Sequence, residues 1–316
     1  MATTPARRTV LTGLGAAAGG SALAAVAAPA GAAPARPSSR ALIGRARRDE
    51  LHVMSFNIRY DRSGSGDTVP GDPDHWPDRR PLLIELLERE QPTLLGIQEA
   101  LYGQLPAIES ALPRHRGIGY GREGGSGGEY SAIFYDTTRL EVLEWDQFWL
   151  SDTPDRIGSA TWGNTVTRIV VWARLRDLAS GTELAMINTH FDHQSEPARI
   201  RSADAMIELF DGGDLDALPT IVTGDFNSAA QDSGAYRTLV EDGPLVDTWD
   251  AAEEQLTPAW GTFPGYEDPV EGGDRIDWVL TIDGLVTTRA AINVWRDASG
   301  AYPSDHAPVQ ALITLP

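Results

Sequence analysis

The chain of 316 residues contains no cysteine and no lysine. Without cysteine there is no disulfide framework and no Cys-type zinc site, so stability has to come from a buried core. The 41% apolar content is ample for one large domain or two small ones. Every basic residue is an arginine and alanine is abundant, a pattern of GC-rich coding rather than of function. Positive charge as a whole is scarce: 26 basic residues face 45 acidic ones, for a net charge of -19. Such a field repels polyanions and argues against tight, non-specific nucleic-acid binding, which needs several phosphate-neutralising cations. It leaves open an anionic substrate at a divalent ion, because the ion reverses the local field. No HExxH motif is present, and the glycine-rich stretch Gly117–Gly128 lacks the Gly-Lys-Ser/Thr of a P-loop. No repeat of twenty to fifty residues is visible.

The first 35 residues read as an export signal. Arg7-Arg8 precede a weakly apolar Ala/Gly-rich run from Leu14 to Ala28, with small-residue cleavage sites at Ala28-Pro29-Ala30 and Ala33-Pro34-Ala35. The paired arginines indicate the twin-arginine type, whose cargo crosses already folded, and the run is too short and too glycine-rich for a membrane anchor. Residues 36–49 are Pro/Ser/Arg-rich and read as a flexible neck. Loss of the leader removes two arginines and no acid, leaving 24 basic against 45 acidic residues, or -21. The expectation is a secreted, monomeric protein with no stable membrane insertion.

From Leu51 onward strand-like and helix-like segments alternate, with strands often paired, which predicts an α/β sandwich with mixed sheets. Strands are expected over Leu51–Tyr60, Thr93–Ala100, Tyr130–Tyr135, Leu140–Trp149 and Thr165–Leu175. A turn at Asp177–Gly181 makes a hairpin of the last of these with Glu183–Thr189. Thr220–Asn227, Arg275–Ile282, Leu285–Val294 and Val309–Leu315 follow. A helix is expected over Pro81–Glu90 with Asp78 as N-cap. Another follows Ser195, with Ile200, Ala203, Ile207 and Phe210 as its buried stripe, and a short one spans Ala235–Glu241. Trp145, Trp172 and Trp278 read as core, and Trp76, Trp162 and Trp260 as candidates to line a pocket. His52, His75 and His115 read as surface or loop residues. Gly117–Gly128 reads as a mobile loop, and the acidic stretches 211–216 and Glu267–Asp274 as solvated loops without EF-hand spacing.

The chemistry collects at strand ends. In PTIVTGDFN the β-branched run Thr220–Thr223 predicts a buried strand, Gly224 its break, and Asp225 and Asn227 polar groups just past its end. Asn57, Glu99, His190, Asp277, Asp305 and His306 terminate or precede other strands in the same way. Glu99, Asp305 and the amide of Asn57 are hard oxygen donors suited to Mg²⁺ or Mn²⁺. Asp225 can orient and deprotonate a water. Asn227, His190 and His306 can donate to charge on a transferring group, with Asp277 fixing an imidazole tautomer. Together these describe metal-assisted hydrolysis of a phosphoester. His193, three residues after His190, lacks the company of a zinc motif.

SFNIRY, GIQEA, NTHFDH, TGDFN, RIDWVL and YPSDHAPV occur in an order that resembles the endonuclease/exonuclease/phosphatase superfamily, the deoxyribonuclease-like metal-dependent hydrolases. The resemblance covers about Leu51 to Pro316 and makes residues 50–316 the catalytic domain. It implies a four-layer sandwich, two mixed β-sheets packed face to face with helices outside. By motif, Glu99 would be the main metal ligand, with Asn57 beside it and Asp305 supporting a metal directly or through water. Asp225 would position the nucleophilic water in a network shared with Asn227. His190 and His306 would bind phosphate oxygens, His306 paired with Asp277. Whether one or two ions operate is left open. TWGNTVTRIVVWARL is similar to a strand of the secreted bacterial branch that brings an arginine, here Arg168, to substrate. Neither the basic loops of an apurinic endonuclease nor the apolar hairpin of a membrane-acting sphingomyelinase is visible. The expected substrate is therefore a small-molecule or headgroup phosphoester in preference to nucleic acid. An extracellular nuclease, a sphingomyelinase-like or inositol-phosphate hydrolase and a non-catalytic binding module on the same fold are the alternatives.

Overall fold

Strand β1 (Glu50–Asn57) is buried along almost its whole length, and its two faces belong to different cores. Met54, Phe56 and the following Ile58 pack outward under helices α1 (Trp76–Glu90) and α2 (Leu105–Ala111), while Leu51 and Val53 face a second sheet. The computed structural model describes residues 40–210, 215, 217–282 and 284–315; the expected export leader at 1–35 and most of the acidic stretch 211–216 lie outside them.

The remaining strands are, in chain order, β2 (Leu94–Gln98), β3 (His115–Ile118), β4 (Ile133–Asp136), β5 (Leu140–Trp149), β6 (Ile169–Asp177), β7 (Glu183–His190) and β8 (Thr220–Asp225). After them come β9 (Leu245–Asp247), β10 (Glu254–Gln255), β11 (Asp277–Ile282), β12 (Val286–Ile292) and β13 (Val309–Thr314). One seven-stranded sheet has the order β10-β12-β13-β1-β2-β4-β3, and one six-stranded sheet the order β5-β6-β7-β8-β11-β9. Both are mixed: β1 runs parallel to β2 and antiparallel to β13, and β8 runs parallel to β7 and antiparallel to β11.

Three apolar clusters make this a four-layer sandwich. Val53, Ile133, Val171, Met186, Ile221, Val279 and Val309 fill the space between the sheets. Helix α3 (Glu196–Ile207) covers the outer face of the six-stranded sheet through Ala203 and Met206. Towards the edge where β1, β2, β7 and β8 end, the inter-sheet filling turns polar. Thr223 Oγ1 donates to Asn188 Oδ1 (2.9 Å), Gln98 Nε2 donates to the same oxygen (2.7 Å), and Asn188 Nδ2 donates to the carbonyls of Ile97 and Ala132. This layer needs Gly96, because a Cβ there would lie 2.1 Å from Thr223 Oγ1 and 2.5 Å from Asn188 Oδ1.

The expected strands and helices are present, and several local expectations are corrected. Gly224 does not break its strand: it pairs with Trp278 and Thr189 inside β8, and a Cβ would crowd the Thr189 carbonyl at 3.0 Å. The chain turns two residues later, where Asn227 adopts φ +48° and its N–H donates to Asp225 Oδ1 (2.9 Å). Asp78 lies in the first turn of α1, whose N-cap is His75, and accepts from the Gly71 N–H. Of the expected α3 stripe, Ala203 and Phe210 are buried but Ile200 and Ile207 only half-buried, because the face is rotated towards Ala198, Ser202 and Met206. Trp145 is 43% exposed, since the outer face of edge strand β5 is solvated there. His52, His75 and His115 are all buried, each with a hydrogen-bond partner. The glycine-rich stretch is pinned as a hairpin: Arg122 N–H donates to Glu129 O, Glu123 N–H to Gly127 O, and Trp149 Nε1 to Arg122 O. The described part of the expected neck is held too, with the N–H groups of Leu42, Ile43 and Gly44 donating to the carboxylate of Glu90. No helix among the described residues is long and apolar enough to cross a membrane.

Candidate active site

The strand directions bring the chemistry to one edge. Asn57 at the end of β1 pairs with Gln98 at the end of β2, so Glu99 emerges beside it. In the other sheet His190, Asp225 and Asp277 form one continuous row across β7, β8 and β11. Asp305 and His306 stand just before β13, the antiparallel neighbour of β1. Residues as far as 249 positions apart in sequence thereby meet in one cluster.

Asn57 ties the two sheets together. Its Nδ2 donates to Glu99 Oε1 (3.0 Å) and to Asp225 Oδ2 (2.9 Å) and lies 3.3 Å from His306 Nε2. Asp225 Oδ2 is also 3.3 Å from His190 Nε2 and 3.7 Å from His306 Nε2, so this one oxygen is the centre of the site. Asn227 Nδ2 donates to the Phe191 carbonyl and lies 3.0 Å from His190 Nε2, which fixes that ring. His306 Nδ1 donates to Asp277 Oδ2 (2.9 Å). Asp277 is held in turn by Thr262, whose Oγ1 accepts from the N–H groups of Ile276 and Asp277. The ring of Phe263, 54% exposed, leans on His306 at 4.7 Å and forms an aromatic wall at that end.

Burial and charge set the protonation states. Burial and the neighbouring Asp277 push the Asp225 carboxyl up to about 7, against His306 and Asn57. Burial opposes a charge on His306, but Asp277 and Asp225 outweigh it and raise the imidazolium to about 10. His190 goes the other way: burial, then Arg168 and Arg122, drive it well below the ordinary histidine value.

Arg168 is only 4% exposed, in contrast to the solvated face that strand alternation alone would give it. Its Nη2 lies 3.1 Å from His193 Nδ1, and its Nη1 lies 3.9 Å from Glu129, which Arg122 also pairs at 2.6 Å. Arg168 therefore flanks the His190 side of the cleft. His193 is itself exposed and serves this arginine.

Two groups of three among the described residues place ligand atoms within 4.8 Å of one another: Glu99 with His190 and Asp225, and Asp225 with Asp277 and His306. The first fits a divalent cation, offering two carboxylates and a neutral imidazole beside the Asn57 amide. The second is already satisfied by the imidazolium of His306. Asp305 faces elsewhere: its Oδ1 accepts from Ser304 Oγ (3.2 Å) and its Oδ2 lies 3.5 Å from Arg59 Nε. All nine residues expected from sequence are thus at or beside one cleft, with Asp305 turned towards Arg59.

Sequence reasoning misses Arg59, Asp74, Arg122, Glu129 and Phe263. Arg59 lies inside the SFNIRY motif, two residues past Asn57, and that position is its only signal. A separate groove of about 730 Å³, lined among others by Phe148, Trp162, Arg201 and Leu209, includes none of the nine candidate residues. Trp162 does line a groove as expected, whereas Trp76 is core.

Comparison with known proteins agrees with this fold. The family model of the endonuclease/exonuclease/phosphatase family matches residues 54–306. An endonuclease/exonuclease/phosphatase from Bacteroides vulgatus is 30% identical, covers 84% of this chain and 99% of its own, and superposes with a TM-score of 0.77. A mannosyl-6-phosphatase of Bacteroides thetaiotaomicron is 32% identical, with 84% and 100% coverage and a TM-score of 0.73. The human Nocturnin catalytic domain, at 18% identity, 85% and 95% coverage and a TM-score of 0.64, shares the fold. An uncharacterized protein of Acanthamoeba polyphaga mimivirus is 30% identical over 165 residues, 48% of this chain and 59% of that protein's length. The chain belongs to the endonuclease/exonuclease/phosphatase family.

Proposed function

We propose that this protein is an exported, divalent-metal-dependent phosphoesterase that acts on small or headgroup phosphoesters, phosphorylated sugars foremost. The observation that carries the reading is the convergence on Asp225 Oδ2 of Asn57, His190 and His306, beside Glu99. A Mg²⁺ or Mn²⁺ ion held by Glu99 with His190 and Asp225 would supply Lewis-acid stabilisation of charge on the phosphoryl oxygens. The protein's own groups do the rest. Asp225 orients a water and accepts its proton, with Asn57 fixing the carboxylate. His306, kept cationic by Asp277, donates to a phosphoryl or leaving-group oxygen. Arg168 adds a buried positive charge on the opposite side, where it can pair with phosphate.

The net charge of -19 supports a compact anionic group brought to a metal over a polyanion laid along a surface. The 32% identity to a mannosyl-6-phosphatase supports a sugar phosphomonoester. Phe263 beside His306 would give a sugar ring a face to stack on. Export through the paired arginines would place the enzyme outside the cell, as a monomer.

Purified protein is expected to release phosphate from a sugar 6-phosphate in Mg²⁺ or Mn²⁺ and to stop in chelator. Plasmid nicking and phosphocholine release, run alongside, separate the substrate classes. Full activity in chelator would remove the metal from the account. Faster plasmid nicking than phosphate release would make the protein a nuclease, and metal binding without turnover on any phosphoester would make it a binding module.

A further inference from the structure

Glu99 uses its two oxygens differently. Oε1 accepts from Asn57, which also donates to Asp225, whereas Oε2 accepts the Tyr60 N–H (3.3 Å) and lies 3.6 Å from Arg59 Nη1. The same guanidinium has its Nε 3.5 Å from Asp305 Oδ2, and its Nε and Nη2 donate to Asp74 at 3.3 and 3.2 Å. One cation therefore answers three carboxylates.

Its position is built. Arg59 has φ +56°, a left-handed conformation that is costly for a residue with a side chain, and its N–H donates to Asn57 Oδ1 (3.0 Å). The guanidinium lies 4.7 Å from the centre of the Tyr60 ring. Asp74 is anchored independently by the hydroxyl of Tyr266 (3.0 Å) and by Arg62 (3.2 Å). Asp74 is also answered by Arg62 and Arg79, but the ion pairs of Glu99 and Asp305 are with Arg59, and two carboxylates left without it attract a divalent ion.

We propose that Arg59 is a resident cation that takes the electrostatic place of a second divalent ion. The site then holds one ion, on the Glu99–His190–Asp225 side, and Asp305 is a positioning residue for Arg59 rather than a metal ligand. The charge and planar fork of Arg59 also keep Glu99 Oε2 engaged, so that Glu99 presents the single oxygen Oε1 to the ion.

The inference rests on the metal-dependent reading of the site, and metal stoichiometry separates the two. Mn²⁺ binding to the full-length protein is measured by equilibrium dialysis with electron paramagnetic resonance of the free ion. The wild type is expected to bind one equivalent, Arg59→Ala two, and Arg59→Lys, which retains the charge, one. Arg59→Gln serves as a bulkier neutral variant, and a larger Mn²⁺-induced rise in Tm for the neutral variants than for wild type is the second readout. Two equivalents in wild type, or one in both neutral variants with an unchanged rise in Tm, would overturn the role of Arg59 and leave the metal site standing. No binding to wild type would overturn the metal reading, and this inference with it.

Discussion

At one end of the cleft His306 lies against Asp277 and Asp225, and at the other His190 lies near Arg168 and Arg122. Both rings are buried, and burial alone would strip the proton from each. Beside two carboxylates the proton stays, up to about 10; beside two guanidinium groups it leaves well below the ordinary range. The same side chain is thus a cation at one end and a neutral ring at the other. Asp225 Oδ2 lies near both, 3.3 Å from His190 Nε2 and 3.7 Å from His306 Nε2, so the two regions share one oxygen. The residue type is identical; the charges delivered by neighbouring strands and loops decide its role.

The hardest way to break that comparison is to remove its common point. Asp225→Ala should lower turnover by about 10²- to 10⁴-fold or more, the scale of a lost acid–base group. A loss below about threefold in steady-state assays of a folded variant would refute its role. Asp277→Asn should cost less, about 10²-fold, because His306 remains but loses its charge-holding partner. Histidine NMR of the metal-free variant should show the His306 titration falling from about 10 towards the ordinary value, with His190 still held low by burial, Arg168 and Arg122. Arg168→Ala acts on the other end: KM should rise about tenfold with a smaller change in kcat, and Arg168→Lys should recover part of it.

A third buried imidazole, remote in role from both, acts on stability rather than on turnover. His52 Nδ1 donates to Gly44 O (2.8 Å) and Nε2 accepts from Gln310 (3.1 Å), a pair of bonds that fits only the neutral ring. Burial, against Glu90, lowers it to about 4. Because the folded value lies below the unfolded one, the unfolded chain takes up the proton first as pH falls. This contribution is therefore complete above pH 6.5 and is lost down to about pH 4, some 3 kcal/mol in all by the linkage relation. Urea unfolding across that window should show the slope in wild type and a flatter one in His52→Gln. An equal slope in both would assign the acid sensitivity to other groups.

Much of the fold and of the site is legible in the amino-acid order. β-Branched and alternating runs place β1, β8 and β11 correctly, and the strand-end positions of Asn57, Glu99, Asp225 and Asp277 follow from them. Local conformation is what such patterns do not carry. Gly224 looks like a strand breaker by residue type, but its function is to let β7 and the Phe226 ring approach β8 closely, a property of neighbours that only the assembled sheet supplies. His52 and His115 look like surface residues because imidazoles are polar, yet carbonyl groups at Gly44 and Pro92 satisfy them inside. Arg59 cannot be separated from an ordinary exposed arginine by pattern, since its left-handed backbone and its three carboxylates come from loops far apart in sequence. Arg168 is hidden for the same reason: alternation says which side it leaves the strand, not that Glu129 and His193 close over it.

The central claim is that water held by Asp225 attacks phosphorus. Its most direct test is hydrolysis of mannose 6-phosphate by the Mg²⁺-supplied protein in ¹⁸O-enriched water, with mass analysis of both products. One ¹⁸O per released phosphate, none at the C6 oxygen of the sugar, and loss of the reaction in Asp225→Asn are expected. Label at the C6 oxygen, or undiminished release by Asp225→Asn, would contradict the account.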